Sequence, residues 1–381
     1  MTEFRVCFTG DYLNAEGEVA VGDIALDLFA SAPWVRIDFL RSQQPAADDP
    51  GYWKRLYALE LEADHVTGAH GIVVLRPWVK PAAFAAGSGD LTVIGRAGAG
   101  YDKIDLPACT AHDVAVFNAP DTLAHSTAAS AFVLMLALAM RLPEHQQLVR
   151  QGSWDRQAAV IGNDLSGMTL GIVGLGKSGS LLANMARPFG MRILAYSPHA
   201  DPRAAQQLGV ALVDRLDDVF EQADFVSLHC RLTAERHGMI GERHLRLLRP
   251  SAYFINVARG ELVDQPALVR CLSQRALAGA GLDVFAHEPL PLDDPLLRLD
   301  NVILTPHWLP STRQAVRATS ECMVRGMLAA SQGRVPAHVL NPDVLERPRF
   351  REKLARFAAN GPALCDARPL DDAVRETGRG E

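Results

Sequence analysis

Cysteine is sparse and unpaired in this chain. Six residues (Cys7, Cys109, Cys230, Cys271, Cys322 and Cys365) are scattered over 381 positions without CxxC spacing. That argues against a disulfide framework or a thiolate zinc site and leaves reduced, mostly buried thiols; no metal is expected. Basic blocks are also missing. The formal charge is −6, which speaks against a nucleic-acid footprint, so a small anionic ligand has to be held by local groups. No long apolar run occurs. The most apolar helical stretch, Ala128 to Met140, contains Ser130 and is too short to span a bilayer, so it reads as a helix buried in a core or a subunit interface. Residues 1–10 lack the charged start and apolar segment of a secretory signal, and a cytoplasmic location is expected. What is present, 48% hydrophobic and 22% charged residues, suffices for a sizeable core, and the length suggests two domains.

Short apolar strands alternate with helical segments, the pattern of an α/β fold with parallel sheets. A first series comprises Phe4 to Phe8, Gly71 to Leu75, Leu91 to Gly95 and Val114 to Phe117. A long helical stretch, Thr122 to Gln151, then bridges to a second series. That series begins at Leu170 and continues through Arg192 to Tyr196, Phe225 to His229, Ala252 to Asn256, Gly279 to Asp283 and Val302 to Thr305. Six strands with intervening helices match a dinucleotide-binding unit. The helical stretch Arg313 to Gln332 is expected to return to the first domain. The domains are thus 1–121 with 310–345 for substrate and 122–309 for coenzyme, with 346–381 a polar C-terminal extension. In that extension Phe350, Leu354 and Phe357 have helical spacing, so a short amphipathic helix is expected to dock, while the last residues are expected to be disordered.

Three polar residues stand just after strand-type runs, where a parallel sheet presents its loops to a ligand. Arg259 follows Phe254-Ile255-Asn256-Val257-Ala258, Glu288 follows Gly281 to His287, and His307 follows Leu304-Thr305-Pro306. A cation, a carboxylate and an imidazole are what reduction of a 2-oxo acid requires. The cation holds the acid's carboxylate, the imidazole delivers a proton to the ketone, and the carboxylate keeps the imidazole protonated and oriented. His125, His199, His229, His237, His244 and His287 have no such setting.

The hydride source is indicated by Gly174-Leu175-Gly176-Lys177-Ser178-Gly179, a GxGxxG between a strand and a helical segment. Gly174 permits the tight turn, Gly176 lets backbone approach a pyrophosphate, and Gly179 lets the helix pack on the strand. The helix N-terminus offers N–H groups to the phosphates. At the tip of the next strand, where a ribose-binding acid is usual, stands Ser197, and Asp201 lies beyond Pro198. The cofactor is therefore NAD or NADP. No arginine directly follows Ser197, which tips the expectation toward NAD.

Together these motifs resemble the D-isomer-specific 2-hydroxyacid dehydrogenase family, which includes phosphoglycerate, glyoxylate/hydroxypyruvate and D-lactate dehydrogenases. The resemblance runs from about Gly71 to Asn341. It implies two doubly wound parallel-sheet domains, a flavodoxin-like substrate domain and a Rossmann coenzyme domain, with a cleft between them, and a homodimer. Arg96-Ala97-Gly98-Ala99-Gly100-Tyr101-Asp102 looks like the family's substrate loop, with Ala99 and Gly100 at the amides that hold the carboxylate. Arg76 falls on another substrate-contacting loop. Cys230 and Thr233 match cofactor-contacting positions, Val257 and Ala258 match backbone contacts to the cofactor, and Asp283 matches the acid that binds the nicotinamide carboxamide. The trio matches the family's catalytic residues. Departures are Lys177-Ser178 for the usual Arg-Ile, Arg231 for a proline, Ala129 for a glutamate, and Trp308-Leu309-Pro310 for small residues. Alternatives are an NAD-sensing corepressor-like binding protein and a short phosphoglycerate dehydrogenase.

Overall fold

A computed structural model describes residues 1–360, which build two all-parallel sheets flanked by helices. The first sheet contains β1 (Phe4–Phe8), β2 (Val35–Phe39), β3 (Gly71–Val74), β4 (Val93–Arg96) and β5 (Ala115–Asn118), in the order β2-β1-β3-β4-β5. The second contains β6 (Thr169–Val173), β7 (Arg192–Tyr196), β8 (Val210–Leu212), β9 (Phe225–Leu228), β10 (Tyr253–Asn256), β11 (Gly279–Leu282) and β12 (Val302–Leu304). Its order is β12-β11-β10-β9-β6-β7-β8. The first order is that of a flavodoxin-like sheet. The second reverses direction at β6, the switch point where a dinucleotide-binding sheet takes its ligand.

The strands at the centre of each sheet read as unbroken apolar runs because helices cover both faces. β3, β6, β9 and β10 are buried along their whole length. Two further strands, β2 and β8, lie at sheet edges and are only partly buried; β2 mixes polar with apolar residues, and β8 is an apolar run of only three. The second sheet therefore has seven strands rather than six.

The expected long helix between the sheets is two helices, Ala124–Ala139 and Leu142–Arg150, bent by 60°. Arg141 takes a left-handed conformation at φ 50. Pro143 can start the second helix, but inside one continuous helix its ring would clash with the carbonyl four residues back. No single helix among the described residues is long and apolar enough to cross a membrane. The first of the two buries Ala128, Ala131, Leu134, Met135 and Leu138 against the second sheet. Its other face leaves Val133 52% exposed, and Trp154 (63%) and Ile161 (76%) continue the apolar character beyond the second helix.

The helix Arg313–Ala330 crosses back to the first sheet. Met323 and Met327 are buried in the core of that sheet. Gly326 lies so close to Phe117 that a Cβ there would fall 2.2 Å from the ring. Asn341 pins the returning chain: its Oδ1 accepts from the Val116 N–H at 2.8 Å and its Nδ2 donates to Val114 O at 3.0 Å. The helix Pro348–Ala355 docks through Phe350 and Leu354, with Phe357 just beyond it against Phe4 at 4.8 Å between ring centres. Lys353, on the same side, is buried and donates to Ser88 Oγ and to the carbonyls of Leu91, His112 and Asp113. The expectation of disorder concerned the last residues of the chain, and positions 361–381 lie outside the described ones.

Candidate active site

The loops at the carboxyl ends of β3, β4, β6, β7, β9, β10, β11 and β12 meet around one cleft of about 1040 Å³ between the two sheets. Arg76, Ala99, Gly100, Gly174, Gly176, Lys177, Ser178, Ser197, Cys230, Val257, Ala258, Asp283 and the trio Arg259, Glu288 and His307 all line it. Two expected residues do not. Gly179 is buried under the loop, where a Cβ would lie 2.3 Å from Gly174 O. Thr233 is exposed and hydrogen-bonds the Glu235 carboxylate outside the cleft.

His307 donates from Nδ1 to Glu288, at 2.8 Å to Oε2 and 3.0 Å to Oε1. That fixes the ring and leaves Nε2 without a protein partner among the described residues. Burial works to raise the Glu288 carboxyl. The hydrogen bond and charge of His307, the Phe285 N–H and the Lys103 ammonium outweigh it, and the group sits below its ordinary value. His307 itself has φ 53, a strained conformation for a side-chain-bearing residue of the kind that accumulates at functional sites. Its N–H bonds Thr305 O at 3.1 Å, and the Thr305 hydroxyl donates to Asp283 Oδ1 at 2.6 Å.

Arg259 is held in the turn after β10. Asn256 braces that turn, donating to Arg259 O at 2.8 Å and accepting from the Ala258 N–H at 3.0 Å. The guanidinium donates from Nη1 to Ala258 O at 2.7 Å and from Nε to Asp102 Oδ1 at 3.0 Å. Its Nη2 lies over Gly100, so that a Cβ there would be 1.7 Å away. The cation is thus pressed against the loop whose amides are expected to hold a carboxylate. No local pattern in the sequence links Asp102 to Arg259, 157 positions away. Arg96 lies under the same loop, and burial together with the Arg259 charge pulls its guanidinium down to about 10.

At the other wall Arg76 is sandwiched between rings, 5.3 Å from the centre of Tyr57 and 4.9 Å from that of Trp308. Its backbone N–H and Nη1 reach Asp11 Oδ2 at 2.9 and 3.5 Å. Trp308, one of the departures noted in the sequence, therefore packs on the Arg76 side of the cleft. Arg231, another departure, donates from Nη1 to the Tyr101 hydroxyl at 3.0 Å.

The cleft fits a dinucleotide. Gly174 has φ 100, and a Cβ on it would meet Cys230 N at 2.8 Å. Gly176 opens onto empty space at the start of the helix Lys177–Ala186, where a phosphate gains the helix N–H groups. Asp283 is fully buried. Its Oδ1 accepts from Thr305 and, at 3.3 Å each, from the Trp308 and Leu309 N–H groups, whereas Oδ2 has no partner among the described residues. An orphaned buried acceptor at this position matches a carboxamide NH₂. Asp201 does not line the cleft; it caps the helix Pro202–Gln207 and accepts from the Arg203 N–H at 3.0 Å.

Known proteins resemble this chain in sequence and fold. The family described as D-isomer specific 2-hydroxyacid dehydrogenase, NAD binding domain, matches residues 132–308. A glyoxylate reductase of Korarchaeum cryptofilum is 40% identical over 259 residues, covering 67% of this chain and 78% of that protein. A D-3-phosphoglycerate dehydrogenase of Methanocaldococcus jannaschii is 40% identical over 251 residues, 66% of this chain and 48% of that protein. Among solved structures, the D-lactate dehydrogenase of Aquifex aeolicus complexed with NAD and lactic acid has a TM-score of 0.72 at 25% identity. The match covers 88% of this chain and 99% of that one. The chain belongs to the D-isomer-specific 2-hydroxyacid dehydrogenase family of NAD(P)-dependent oxidoreductases.

Proposed function

We propose that this chain reduces a 2-oxo acid to a D-2-hydroxy acid, with His307 as the proton donor. The observation that carries the reading is the His307 ring, fixed through Nδ1 on Glu288 and free at Nε2, in the same cleft as Arg259 and the Gly98–Gly100 loop. Gly174, Gly176, Lys177 and Ser178 would hold the cofactor's pyrophosphate and Asp283 its carboxamide. When bound, NAD(P)H supplies the hydride. Arg259 and the Ala99 and Gly100 amides hold the acid's carboxylate and turn its carbonyl toward His307. His307 protonates the oxygen as negative charge develops there, and Glu288 stabilises the imidazolium. In the reverse direction the same nitrogen accepts the proton.

The two units, 1–121 with 310–345 and 122–309, enclose the reacting atoms and exclude water. The apolar face around Val133, Trp154 and Ile161 is the proposed contact of a homodimer.

The test is reduction of glyoxylate, hydroxypyruvate and pyruvate with NADH and with NADPH. His307→Ala is expected to lose turnover by about a thousandfold while retaining cofactor affinity. Cofactor binding without turnover on any 2-oxo acid by the wild-type protein would refute the enzyme reading in favour of a nucleotide-sensing protein.

A further inference from the structure

Behind the glycine loop the ring of His229 joins two hydroxyls. Its Nε2 lies 3.0 Å from Ser227 Oγ and its Nδ1 lies 3.1 Å from Ser178 Oγ. Ser227 is on β9 and has no exposed surface. Ser178 is the second residue of the helix Lys177–Ala186 and lines the cleft beside Gly176. The three residues come from two separate segments, and none belongs to the proton-transfer trio.

The chain has a direction. Burial pulls the His229 ring down to about 4, so near neutral pH the imidazole donates from one nitrogen and accepts at the other. If the proton were on Nε2, it would be donated to Ser227 Oγ. The Ser227 hydroxyl proton would then be buried without an acceptor, since His229 is its hydrogen-bond partner among the described residues. With the proton on Nδ1, Ser227 donates to Nε2 and Nδ1 donates to Ser178 Oγ. Every buried group is then satisfied, and the Ser178 hydroxyl proton is left free on the cleft side.

We propose that Ser227, His229 and Ser178 form a directed hydrogen-bond chain that presents the Ser178 hydroxyl proton to the dinucleotide's pyrophosphate, which makes His229 a positioning residue for cofactor binding. A hydroxyl whose oxygen already accepts a bond has its proton committed outward, and a proton aimed at an anion forms the stronger, charge-assisted kind of bond. His229 thus acts through Ser178. The inference rests on the reading that the cofactor lies against the Gly174–Gly179 loop.

The experiment is fluorescence titration of NADH and NADPH onto the substrate-free protein. The proteins are wild type, Ser178→Ala, His229→Ala, His229→Asn and the Ser178→Ala/His229→Ala double variant, with a thermal melt of each. Ser178→Ala and His229→Ala are each expected to weaken binding by about five- to tenfold. The double variant is expected to bind no more weakly than either, because one hydrogen bond is being removed in each case. An asparagine amide nitrogen takes the place of Nδ1, so His229→Asn is expected to restore most of the affinity. Wild-type affinity should show no inflection between about pH 5.5 and 8.5, where the ring stays neutral. Ser178→Ala binding as tightly as wild type would overturn the proposal, as would losses that add in the double variant. If His229→Ala fails to melt cooperatively, Ser178→Ala and His229→Asn still decide it. A wild-type protein that binds neither dinucleotide would instead refute the placement of the cofactor, and that is visible before any variant is made.

Discussion

Gly100→Ala is the sharpest probe of how the substrate loop and Arg259 work together. Gly100 does not adopt a left-handed backbone, so alanine is tolerated by the chain itself and the perturbation is steric. The new Cβ would lie 1.7 Å from Arg259 Nη2, 2.8 Å from its Cζ and 3.0 Å from Asp102 Oδ1. Non-bonded carbon contacts need about 3.5 Å, so the guanidinium has to retreat by roughly 1.5–2 Å. It cannot do so and keep both the Asp102 and the Ala258 hydrogen bonds, which anchor it from Nε and Nη1. A misplacement of about 1 Å in a positioning group costs on the order of a hundredfold in rate, or about 2.7 kcal/mol of transition-state stabilisation. The assay is kcat/KM for the best 2-oxo acid at saturating cofactor, with cofactor affinity and melting temperature measured on the same preparation. The expected outcome is a loss of about a hundredfold in kcat/KM with cofactor affinity unchanged. A variant within about threefold of wild type, folded and binding cofactor normally, would refute the argument that Arg259 must rest on this loop during turnover.

Two further outcomes follow from the site and the surface. Ser197→Asp places a carboxylate at the end of β7, where it can accept from a ribose hydroxyl and repel a 2′-phosphate. The ratio of kcat/KM with NADH to that with NADPH should rise by about tenfold or more, and an unchanged ratio would put coenzyme choice elsewhere in the cleft. Ile161→Asp puts a charge on the exposed apolar face. In a twofold-symmetric contact the substitution occurs twice, so both copies bury an unpaired carboxylate. Light scattering should then report a monomer where the wild type is a dimer, and equal masses for both proteins would remove this face from the interface.

What the sequence conveyed and what it did not divides along physical lines. Central strands such as β3 and β6 are covered on both faces, and their apolar runs stand out against any background. Polar residues interrupt Val35–Phe39, and Val210–Leu212 is only three residues long, so these two partly buried strands carry no comparable signal. The break at Arg141 was signalled by Pro143, but the apolar composition on its N-terminal side outweighed that single residue. The trio was legible because each member follows its own strand, so topology alone brings Arg259 and His307 to one edge of the sheet. Thr233 fell outside the cleft because a matching position in a motif fixes the backbone's course, not the direction of an exposed side chain.

The contacts that escaped the sequence have something in common. Arg259 with Asp102, Arg231 with Tyr101, Trp308 with Arg76 and Lys177 with Asp121 each join a residue of the β6–β12 unit, or of the loop leaving it, to one from the other side of the cleft. Their partners lie far apart in the chain, and no periodicity or spacing connects them. Three of the four involve an arginine, whose planar guanidinium can stack on a ring and fork onto a carboxylate. Two of them grip successive residues of one loop, Tyr101 and Asp102, directly after the Ala99 and Gly100 amides. The position of the Gly98–Asp102 loop is therefore set by the second sheet as much as by its own strand β4. That coupling explains why a glycine after the first sheet's β4 and an arginine on the second sheet act together: the surface proposed for a carboxylate exists only where the two units meet.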